Sequence, residues 1–249
     1  MHSQRIKVFA RHCNFSQSSI NKARPAGFSR EICYRNLKRT INPDLAEITF
    51  LMDGDVSKHF LKQETDYPVI PIQGGSDASS FLSMLNYIES LSLPDETIVY
   101  LLEDDFFHRP LWCELTVEVF DTLQCDYATL YDHLDKYFFK MYENLKSQIF
   151  ITQTCHWRTV PSTTNTYVCR WKTLRRDLAI HKKFCRLAVN AHAKFLRLGR
   201  RGVKLVSPMP GWSTHMETEF LSPIINWDEL LQEEICIHTH RSGSIQHQP

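Results

Sequence analysis

The sequence predicts an α/β fold in which helices flank an open, mixed β-sheet. Over the first half, short β-rich runs alternate with longer segments whose apolar residues recur at helical spacing, as in parallel strands joined by helices. In the second half, shorter β-rich runs are separated by loops, which indicates an extension of the same sheet. Hydrophobic residues make up 43% of the 249 residues and aromatic residues 12%, enough for a substantial core. We therefore expect a single domain over residues 1–237.

Four strands joined by helices are predicted in the first half. The strands are expected at residues 6–10, 48–52, 69–72 and 98–102. Ser29 is placed to cap a helix that ends at the Asn-Pro-Asp sequence of residues 42–44. Gly74 and Gly75 form a turn that opens a second helix, in which apolar residues recur as far as Ile88.

The second half is predicted to contain four more strands and one long helix. The strands are expected at residues 126–131, 148–152, 165–169 and 203–206. The helix carries apolar residues at helical spacing over 184–198, and Gly202 is placed as its C-cap. The tail at residues 238–249 has no periodicity and is expected to be disordered.

Charge and hydropathy disfavour two classes of partner. Lys and Arg number 29 and Asp and Glu number 28, so no bulk positive field favours binding to a nucleic acid polymer. The longest apolar runs are of strand length, far below the roughly 20 residues that a membrane-spanning helix needs. Residues 1–5 lead into the first strand without the apolar core of a signal peptide. A cytoplasmic protein without an integral membrane segment is therefore expected.

Three consecutive carboxylates, Glu103-Asp104-Asp105, follow the fourth predicted strand. Alternate residues of a strand point the same way, so Glu103 and Asp105 are expected to converge while Asp104 faces elsewhere. Two hard oxygen donors on one side suit Mg²⁺ or Mn²⁺. The alternative is a solvated acidic turn, and the cluster alone does not decide between them.

Polar or glycine residues also follow the second and third predicted strands. Asp53 and Asp55 could accept hydrogen bonds from a base or a ribose, although Asp-Gly is equally typical of a turn. Gly74 and Gly75 would let backbone N–H groups approach a phosphate or a sugar, or they simply form a turn before a capped helix. The sequence is neither a Walker loop nor G-x-G-x-x-G, which weighs against a kinase or a dehydrogenase.

Taken in order, these features resemble the nucleotide-sugar half of a GT-A glycosyltransferase. The matching features are a first strand, an Asp-ended second strand, a Gly-opened helix and an acidic fourth strand followed by Arg109-Pro110. Glu103-Asp104-Asp105 resembles the D-x-D motif of that fold, with Glu in the first position. The resemblance covers a Rossmann-like half at residues 5–125, and it extends more loosely over an acceptor half at 126–237.

The resemblance implies a metal-dependent transfer of a sugar from a nucleoside-diphosphate sugar, such as a UDP-sugar, to a hydroxyl acceptor. It places Mn²⁺ or Mg²⁺ on Glu103, Asp105 and His215, with a loop histidine bonded to backbone as the alternative for His215. The residues expected to contact the nucleotide are Ala10, Arg11, Asp53, Asp55, Gly74, Gly75 and Asp104. A glycan or a polysaccharide precursor is the acceptor that the family implies.

The acceptor side is less well marked in the sequence. The residues expected to line the acceptor or sugar pocket are His156, Trp157, Arg158, Thr163 and Glu217, although Trp157 could instead fill the core. Asp132 or His133 could also touch the acceptor. The position where inverting members carry an acidic base is Asn190-Ala191 here, so Asp177 is the candidate base, with a salt-bridged helix-start aspartate as the alternative. An inverting transfer is favoured, and a retaining one remains open.

Two other functions stay open at this stage. A nucleotidyltransferase shares the sheet, the carboxylates and the glycine turn, but typically has a glycine-rich, basic loop after the first strand, and residues 11–16 contain no glycine. A non-catalytic module that binds a nucleotide or a sugar would not need the acidic cluster.

Overall fold

The structure is a computed structural model that describes residues 5–186 and 191–243. The strands of this part of the chain are β1 (Ile6–Cys13), β2 (Ala46–Asp53), β3 (Val69–Ile72), β4 (Ile98–Glu103), β5 (Phe106–His108), β6 (Tyr127–Ala128), β7 (Ile149–Ile151), β8 (His156–Thr159), β9 (Tyr167–Arg170), β10 (Leu205–Met209) and β11 (Ser213–His215). Its α-helices are α1 (Arg30–Thr40), α2 (Leu61–Glu64), α3 (Asp77–Ser90), α4 (Trp112–Thr122), α5 (Asp135–Phe138), α6 (Trp171–Arg186), α7 (Ala191–Gly199) and α8 (Trp227–Gly243).

Nine strands form one sheet in the order β3-β2-β1-β4-β9-β6-β10-β8-β7, and β5 and β11 form a separate two-stranded sheet. β1 is parallel to both of its neighbours, β2 and β4. β9 is antiparallel to β4 and to β6, whereas β6 and β10 are parallel. The prediction of an α/β fold with an open, mixed sheet flanked by helices is therefore confirmed.

Helices cover both faces of the sheet, which explains why the central strands are apolar without alternation. In β4, Ile98, Tyr100 and Leu102 pack in the cluster that contains residues of α1 and α4. Val99 and Leu101 point to the opposite face and pack with residues of α3, α6 and α7. These five side chains are at most 3% exposed. β4 is thus fixed on both sides, and its last residue, Glu103, is held at the edge of the sheet.

A smaller apolar cluster holds the C-terminal helix against the rest of the fold. Trp227 and Leu231 of α8 pack against Ile32 of α1 and Phe107 of β5. The indole of Trp227 donates a hydrogen bond to the carbonyl of Ser222 at 2.8 Å. The two-stranded sheet and α8 therefore cover one end of α1.

The second half departs from the predicted elements in two places. The predicted strand at 126–131 is reduced to β6, because Thr129 Oγ1 accepts a hydrogen bond from the backbone of Tyr131 and the chain turns out of the sheet. Around the predicted long helix, the structure describes α6, which begins already at Trp171, and α7, while residues 187–190 lie outside the described residues.

The C-terminal tail also differs from the prediction of disorder. α8 continues through residues 238–243, where hydrogen bonds such as Thr239 Oγ1 to the Ile235 carbonyl connect successive turns. Residues 244–249 lie outside the described part of the chain. Among residues 5–186 and 191–243, none of the helices combines the length and the apolar character needed to cross a membrane.

Asn36 connects α1 to β5 through two buried hydrogen bonds. Its amide nitrogen donates to the carbonyl of His108 at 3.0 Å, and its amide oxygen accepts from the backbone N–H of His108 at 2.7 Å. Asn36 is fully buried, so no water can replace it as a partner.

We expect Asn36→Ala to lower the free energy of unfolding by about 2–4 kcal/mol, because it leaves a buried N–H and a buried C=O without partners. Asn86→Ala is the matched control, since Asn86 lies exposed in α3 and Ala favours a helix. Urea denaturation of both variants checks the prediction. Equal stability of the two variants would contradict the role of Asn36.

His108 makes the stability dependent on pH. Its ring is buried and lies 2.8 Å from the hydroxyl of Tyr100, and burial lowers the pKa of His108 to about 3. The unfolded state, with a histidine pKa of about 6.5, takes up a proton that the folded state excludes. The stabilisation is therefore complete above about pH 6.5 and is lost as the pH falls towards 3.

We expect the wild type to lose about 2 kcal/mol more stability than His108→Gln between about pH 7 and pH 5. Urea denaturation at several pH values measures this difference in slope. The other buried histidines titrate in both proteins and cancel. Parallel pH profiles for the two proteins would show that His108 does not contribute.

Candidate active site at the carboxyl edge of the sheet

The parallel strands β1, β2 and β4 end together and bring polar residues to one edge of the sheet. Arg11 of β1 lies opposite Glu103 of β4, and Cys13 of β1 lies opposite Asp53 of β2. In open α/β sheets the carboxyl ends of the strands form the ligand-binding edge. Arg11, Asp53 and Glu103, three of the residues predicted from the sequence, therefore lie together at this edge.

Each of the three consecutive carboxylates contacts a different arginine. Arg11 Nη2 lies 3.1 Å from Glu103, Arg30 Nε lies 2.9 Å from Asp104, and Arg24 Nη2 lies 2.9 Å from Asp105. A mostly buried carboxylate is costly without such a partner. The acidic cluster is therefore a set of ion pairs, not a solvated turn.

Glu103 and Asp105 do not converge as the strand alternation predicts. β4 ends at Glu103, and residues 104–105 form the turn that leads into β5, so alternation no longer applies. Glu103 Oε2 accepts a hydrogen bond from Thr166 at 3.2 Å, on the side of β9. Asp105 points towards the two-stranded sheet instead.

His215 lies beside Asp105, although 110 residues separate them in the sequence. β11 pairs antiparallel with β5 so that His215 lies opposite Phe106. Its Nε2 is 2.9 Å from Asp105 Oδ2, and its Nδ1 is 3.3 Å from Glu217 Oε2. Glu217, predicted in the acceptor pocket, thus belongs to the Asp105 cluster.

The segment between β1 and α1 places further cations on this cluster, and the sequence analysis did not identify them. Lys22 Nζ lies 3.0 Å from Glu217 Oε2 and 3.5 Å from His215 Nε2. Arg24 also donates to the carbonyl of Met216 at 2.5 Å. A Lys-x-Arg sequence in a segment that must cross the carboxyl edge is the signal that could have indicated them.

Contacts with the C-terminal region hold this segment in place. The backbone N–H of Thr218 donates to the carbonyl of Ala23 at 2.9 Å, and Gln232 of α8 donates to the carbonyl of Ala26 at 3.3 Å. Gly27 has a φ of +86°, and a Cβ there would lie 2.5 Å from Cδ1 of Ile235. The positive φ therefore favours glycine at position 27, and an added Cβ would also require the Ile235 side chain to shift.

Burial and neighbouring charges shift the pKa values of the three carboxylates in different directions. Burial raises the pKa of Glu103 to about 7, against the attraction of Arg11. Burial and the charge of Asp105 raise the pKa of Asp104 to about 6. Burial opposes ionisation of Asp105 too, but His215 and Arg24 outweigh it and hold its pKa well below the usual value. Of the three carboxylates, Asp105 therefore has the strongest preference for the ionised form.

The three predicted metal ligands do not fit a preformed site for a divalent cation. Asp105 and His215 are adjacent, but Glu103 is directed towards Arg11 and Thr166. Among residues 5–186 and 191–243, no group of three or more His, Cys, Asp or Glu side chains is placed to hold a metal ion. The guanidinium of Arg24 occupies the same oxygen of Asp105 that His215 contacts.

The predicted nucleotide-binding residues at β1 and β2 have several local partners. Asp53 Oδ1 accepts a hydrogen bond from the backbone N–H of Gly74 at 2.9 Å, and Asp53 Oδ2 accepts one from Gly75 at 3.0 Å, which ties β2 to the turn before α3. Asp55 is exposed and accepts hydrogen bonds from the backbone and hydroxyl of Ser57. Ala10 is buried in the core.

Lys194 is a buried cation near Glu103 that the sequence analysis missed. It is 2% exposed, donates to Asn165 Oδ1 at 2.8 Å, and lies 4.6 Å from the ring centroid of Phe81. Burial lowers the pKa of Lys194 to about 8. Its cationic form is therefore supported by aromatic faces and an amide oxygen.

The predicted acceptor residues are divided between the core and the surface. Trp157 has no exposed surface, so it fills the core as in the alternative interpretation. Thr163 is buried and bonds to another threonine, while His156 is exposed on the neighbouring strand. Arg158 donates to Asp132 at 2.7 Å, in a pair at the end of β6.

Asp177, the predicted base, is not brought to the carboxylate cluster. It is 1% exposed and accepts hydrogen bonds from Tyr127 Oη at 3.0 Å and from Arg176 Nη2 at 2.7 Å. In the sheet, Tyr127 lies opposite Cys169, and Cys169 lies opposite Val99. Val99 is near the start of β4, whereas the carboxylates follow its other end. Asp177 therefore lies in the helix layer and matches the alternative of a salt-bridged aspartate.

His133 and Asp135 lie closer to the carboxylate cluster than Asp177 does. The sequence analysis named His133 as a possible acceptor contact but did not name Asp135. His133 Nδ1 is 3.0 Å from Asp135 Oδ1. A series of ring contacts connects His133 to Tyr131 at 4.7 Å, Tyr131 to Phe106 at 5.6 Å, and Phe106 to His215 at 5.3 Å. This pair is therefore a second titratable group on the same edge.

Comparison with solved structures supports the fold. The chain is similar to a CMP:2-keto-3-deoxy-manno-octonic acid synthetase complexed with CTP, with a TM-score of 0.50 and 13% identity over 83% of this chain and 92% of that one. It is similar to the 2-C-methyl-D-erythritol 4-phosphate cytidylyltransferase of Francisella tularensis, with a TM-score of 0.48 and 12% identity over 92% and 99%.

A weaker likeness is to residues 1–349 of TarS from S. aureus, with a TM-score of 0.41 and 11% identity over 71% of this chain and 49% of that one. No protein-family model matches the chain, and neither does any curated protein. At these identities the comparisons establish the fold alone. The protein shares with that synthetase an α/β fold in which helices cover both faces of a large, partly parallel sheet.

Gly74 has no room for a side chain. A Cβ at this position would lie 2.5 Å from Asp53 Oδ2 and 2.5 Å from the Cα of Ser80. The turn before α3 can therefore approach the end of β2 only with glycine at position 74.

We expect Gly74→Ala to lower the free energy of unfolding by about 1–3 kcal/mol, because backbone and carboxylate must move apart. Gly199→Ala is the control, since an added Cβ there meets no atom within 4 Å. Thermal and urea unfolding compare the two. If both variants unfold like the wild type, the close approach at Gly74 is not required.

Proposed function

We propose that the protein is a glycosyltransferase that moves a sugar from a nucleoside-diphosphate sugar to a hydroxyl acceptor, as a glycan or polysaccharide precursor would provide. The single observation that carries this proposal is the contact between Asp105 and His215 at the carboxyl edge. A sequence motif at the end of β4 and a histidine from β11 meet at the edge where this fold binds ligands. The sequence analysis assigned Asp105 and His215 to the same site.

The donor would lie across the ends of β1, β2 and β4. Its base and ribose would occupy the side of Arg11 and Asp55, where the turn at Gly74 and Gly75 opens α3. Its diphosphate would face Asp105, His215 and the two cations beside them, Lys22 and Arg24. The geometry of the edge suits this placement because cations there can stabilise the leaving diphosphate.

The transfer would be a displacement at the anomeric carbon of the donor sugar. The acceptor oxygen forms a bond to this carbon while the bond from the carbon to the β-phosphate oxygen breaks. The electron pair of the broken bond stays on the phosphate oxygen, which gives a nucleoside diphosphate. The proton of the acceptor hydroxyl passes to a base on the protein.

The pair of His133 and Asp135 is the base that we favour over Asp177. Burial lowers the pKa of His133, so its ring is neutral and able to accept a proton at neutral pH. Asp135 beside it would stabilise the imidazolium that forms. Asp177 has both oxygens engaged in the helix layer. A displacement with a base on the far side of the donor favours inversion.

A nucleotidyltransferase is the second candidate, and the segment after β1 favours it. Lys22 and Arg24 of this segment, and Arg30 at the start of α1, reach carboxylates at this edge, which is where a basic phosphate loop would act. The similar synthetase carries CTP. In this reaction an acceptor oxygen would attack the α-phosphorus of a nucleoside triphosphate, and pyrophosphate would leave.

The two reactions release different products, so one assay separates them. We expect the purified protein to release nucleoside diphosphate from at least one UDP-, GDP- or CDP-sugar in the presence of glycan acceptors. Release of pyrophosphate from CTP or UTP with a sugar phosphate or an acidic sugar would instead establish the second candidate. If neither product forms with any donor tested, the proposed function is wrong.

We expect Asp105→Asn to reduce the turnover of the active donor about 10²-fold, because the charge that organises Arg24 and His215 is lost. Asp66→Asn is the control, since Asp66 is exposed in the loop before β3, at the other end of the sheet. Initial rates with both variants check the prediction. An equal rate for both would remove Asp105 from the site.

A further inference from the structure

Two cations from the segment between β1 and α1 lie where a divalent metal ion would be expected. Lys22 Nζ is 3.5 Å from His215 Nε2, and Arg24 Nη2 is 2.9 Å from Asp105 Oδ2. His215 Nε2 and Asp105 Oδ2 are themselves 2.9 Å apart. A metal ion bound by these two atoms would lie next to an ammonium and a guanidinium, and the like charges would repel it.

Arg24 is fixed in this position by contacts on several sides. Its Nη1 donates to the carbonyl of Met216, its Nη2 donates to Ser19 Oγ at 3.3 Å, and its guanidinium lies 4.5 Å from the ring centroid of Phe28. Its side chain is 14% exposed. Arg24 is therefore a built part of the cluster and not a mobile surface side chain.

Lys22 is more open than Arg24 and has hydrogen-bonding capacity left over. Its side chain is 29% exposed, and its ammonium has three N–H groups, of which one is directed to Glu217. Arg24 likewise has five N–H groups and three bonds from them in the cluster. Both side chains can therefore donate to a further acceptor without losing their present partners.

The remaining arginines at this edge are paired with the other two carboxylates, Glu103 and Asp104. Arg11 donates to the backbone carbonyl of Asp77 and to its carboxylate, and also to Glu103. Arg30 pairs with Asp104. Lys22 and Arg24 are thus the cations best placed to meet an anion above Asp105.

We propose that Lys22 and Arg24 supply the positive charge for the diphosphate of the ligand, so that the protein binds a nucleoside diphosphate without a divalent metal ion. Asp105 and Glu217 then orient the two cations, and they do not act as metal ligands. His215 lies between Asp105 and Glu217, with one ring nitrogen near each carboxylate. This inference rests on the proposed function, because it assigns the phosphate contacts of the same site.

Calorimetric titration with UDP, GDP and CDP, in EDTA and again with Mn²⁺, tests the inference without relying on turnover. We expect at least one diphosphate to bind in EDTA, with an affinity that Mn²⁺ changes by less than about threefold. We expect Lys22→Gln and Arg24→Gln each to weaken this binding at least about tenfold, as for the loss of one charge-assisted contact. The affinity should also fall with added salt.

Matched controls separate loss of these contacts from a general loss of charge. Lys62→Gln and Arg201→Gln remove one positive charge each at exposed positions, and we expect both to bind like the wild type. Thermal unfolding of every variant in EDTA identifies any that fails to fold. Lys22→Arg, which keeps the charge, should retain most of the affinity.

The outcomes distinguish this inference from the proposed function. Binding that requires Mn²⁺ and disappears in EDTA overturns the metal-free assignment and leaves the proposed function standing. Binding in EDTA that is unchanged in folded Lys22→Gln and Arg24→Gln also overturns it. If folded wild-type protein binds none of the diphosphates under either condition, the proposed function itself fails.

Discussion

The balance of charge after β4 is the constraint on which the rest of the site depends. Three consecutive carboxylates are held at the edge of a strand whose two faces are both buried, so they cannot all turn towards solvent. The fold compensates with one guanidinium for each carboxylate, drawn from β1, the segment after it and the start of α1. The path of the segment between β1 and α1 is therefore set by electrostatics as much as by packing.

This arrangement also explains why the two-stranded sheet meets the edge of the nine-stranded sheet. The strand that follows the carboxylates, β5, takes its partner from β11 and so brings His215 and Glu217 back to Asp105. Asn36 fixes the same strand from the side of α1. The carboxylate cluster is thus held between a large sheet and a two-stranded one, and each contributes part of it.

The first half of the fold could be predicted from the sequence because its signals are local. The apolar runs of β1 to β4, the cap at Ser29 and the glycine turn at Gly74 each determine their element with little help from distant residues. The second half is less predictable, since β6 retains two residues and depends on its neighbours β9 and β10 for pairing.

The site was predictable to the extent that strand ends carry its residues. Asp105 and His215 follow strands, and their order along the chain resembles a known arrangement. Lys22 and Arg24 lie in an irregular segment, and only the tertiary path of that segment shows what they contact. Asp177 was predicted as the base, but it lies away from the carboxylate cluster. Its position along the chain does not show in which layer its helix packs.

The contact between α8 and the segment that carries Lys22 and Arg24 has a consequence for the order in which parts of the structure form during synthesis. Lys22 and Arg24 are synthesised before Thr218, Gln232 and Ile235, which hold their segment. A nascent chain that has already formed the central strands would still lack the parts that fix these cations. The environment of Lys22 and Arg24 would therefore be completed only after strands β1 to β4 have been synthesised.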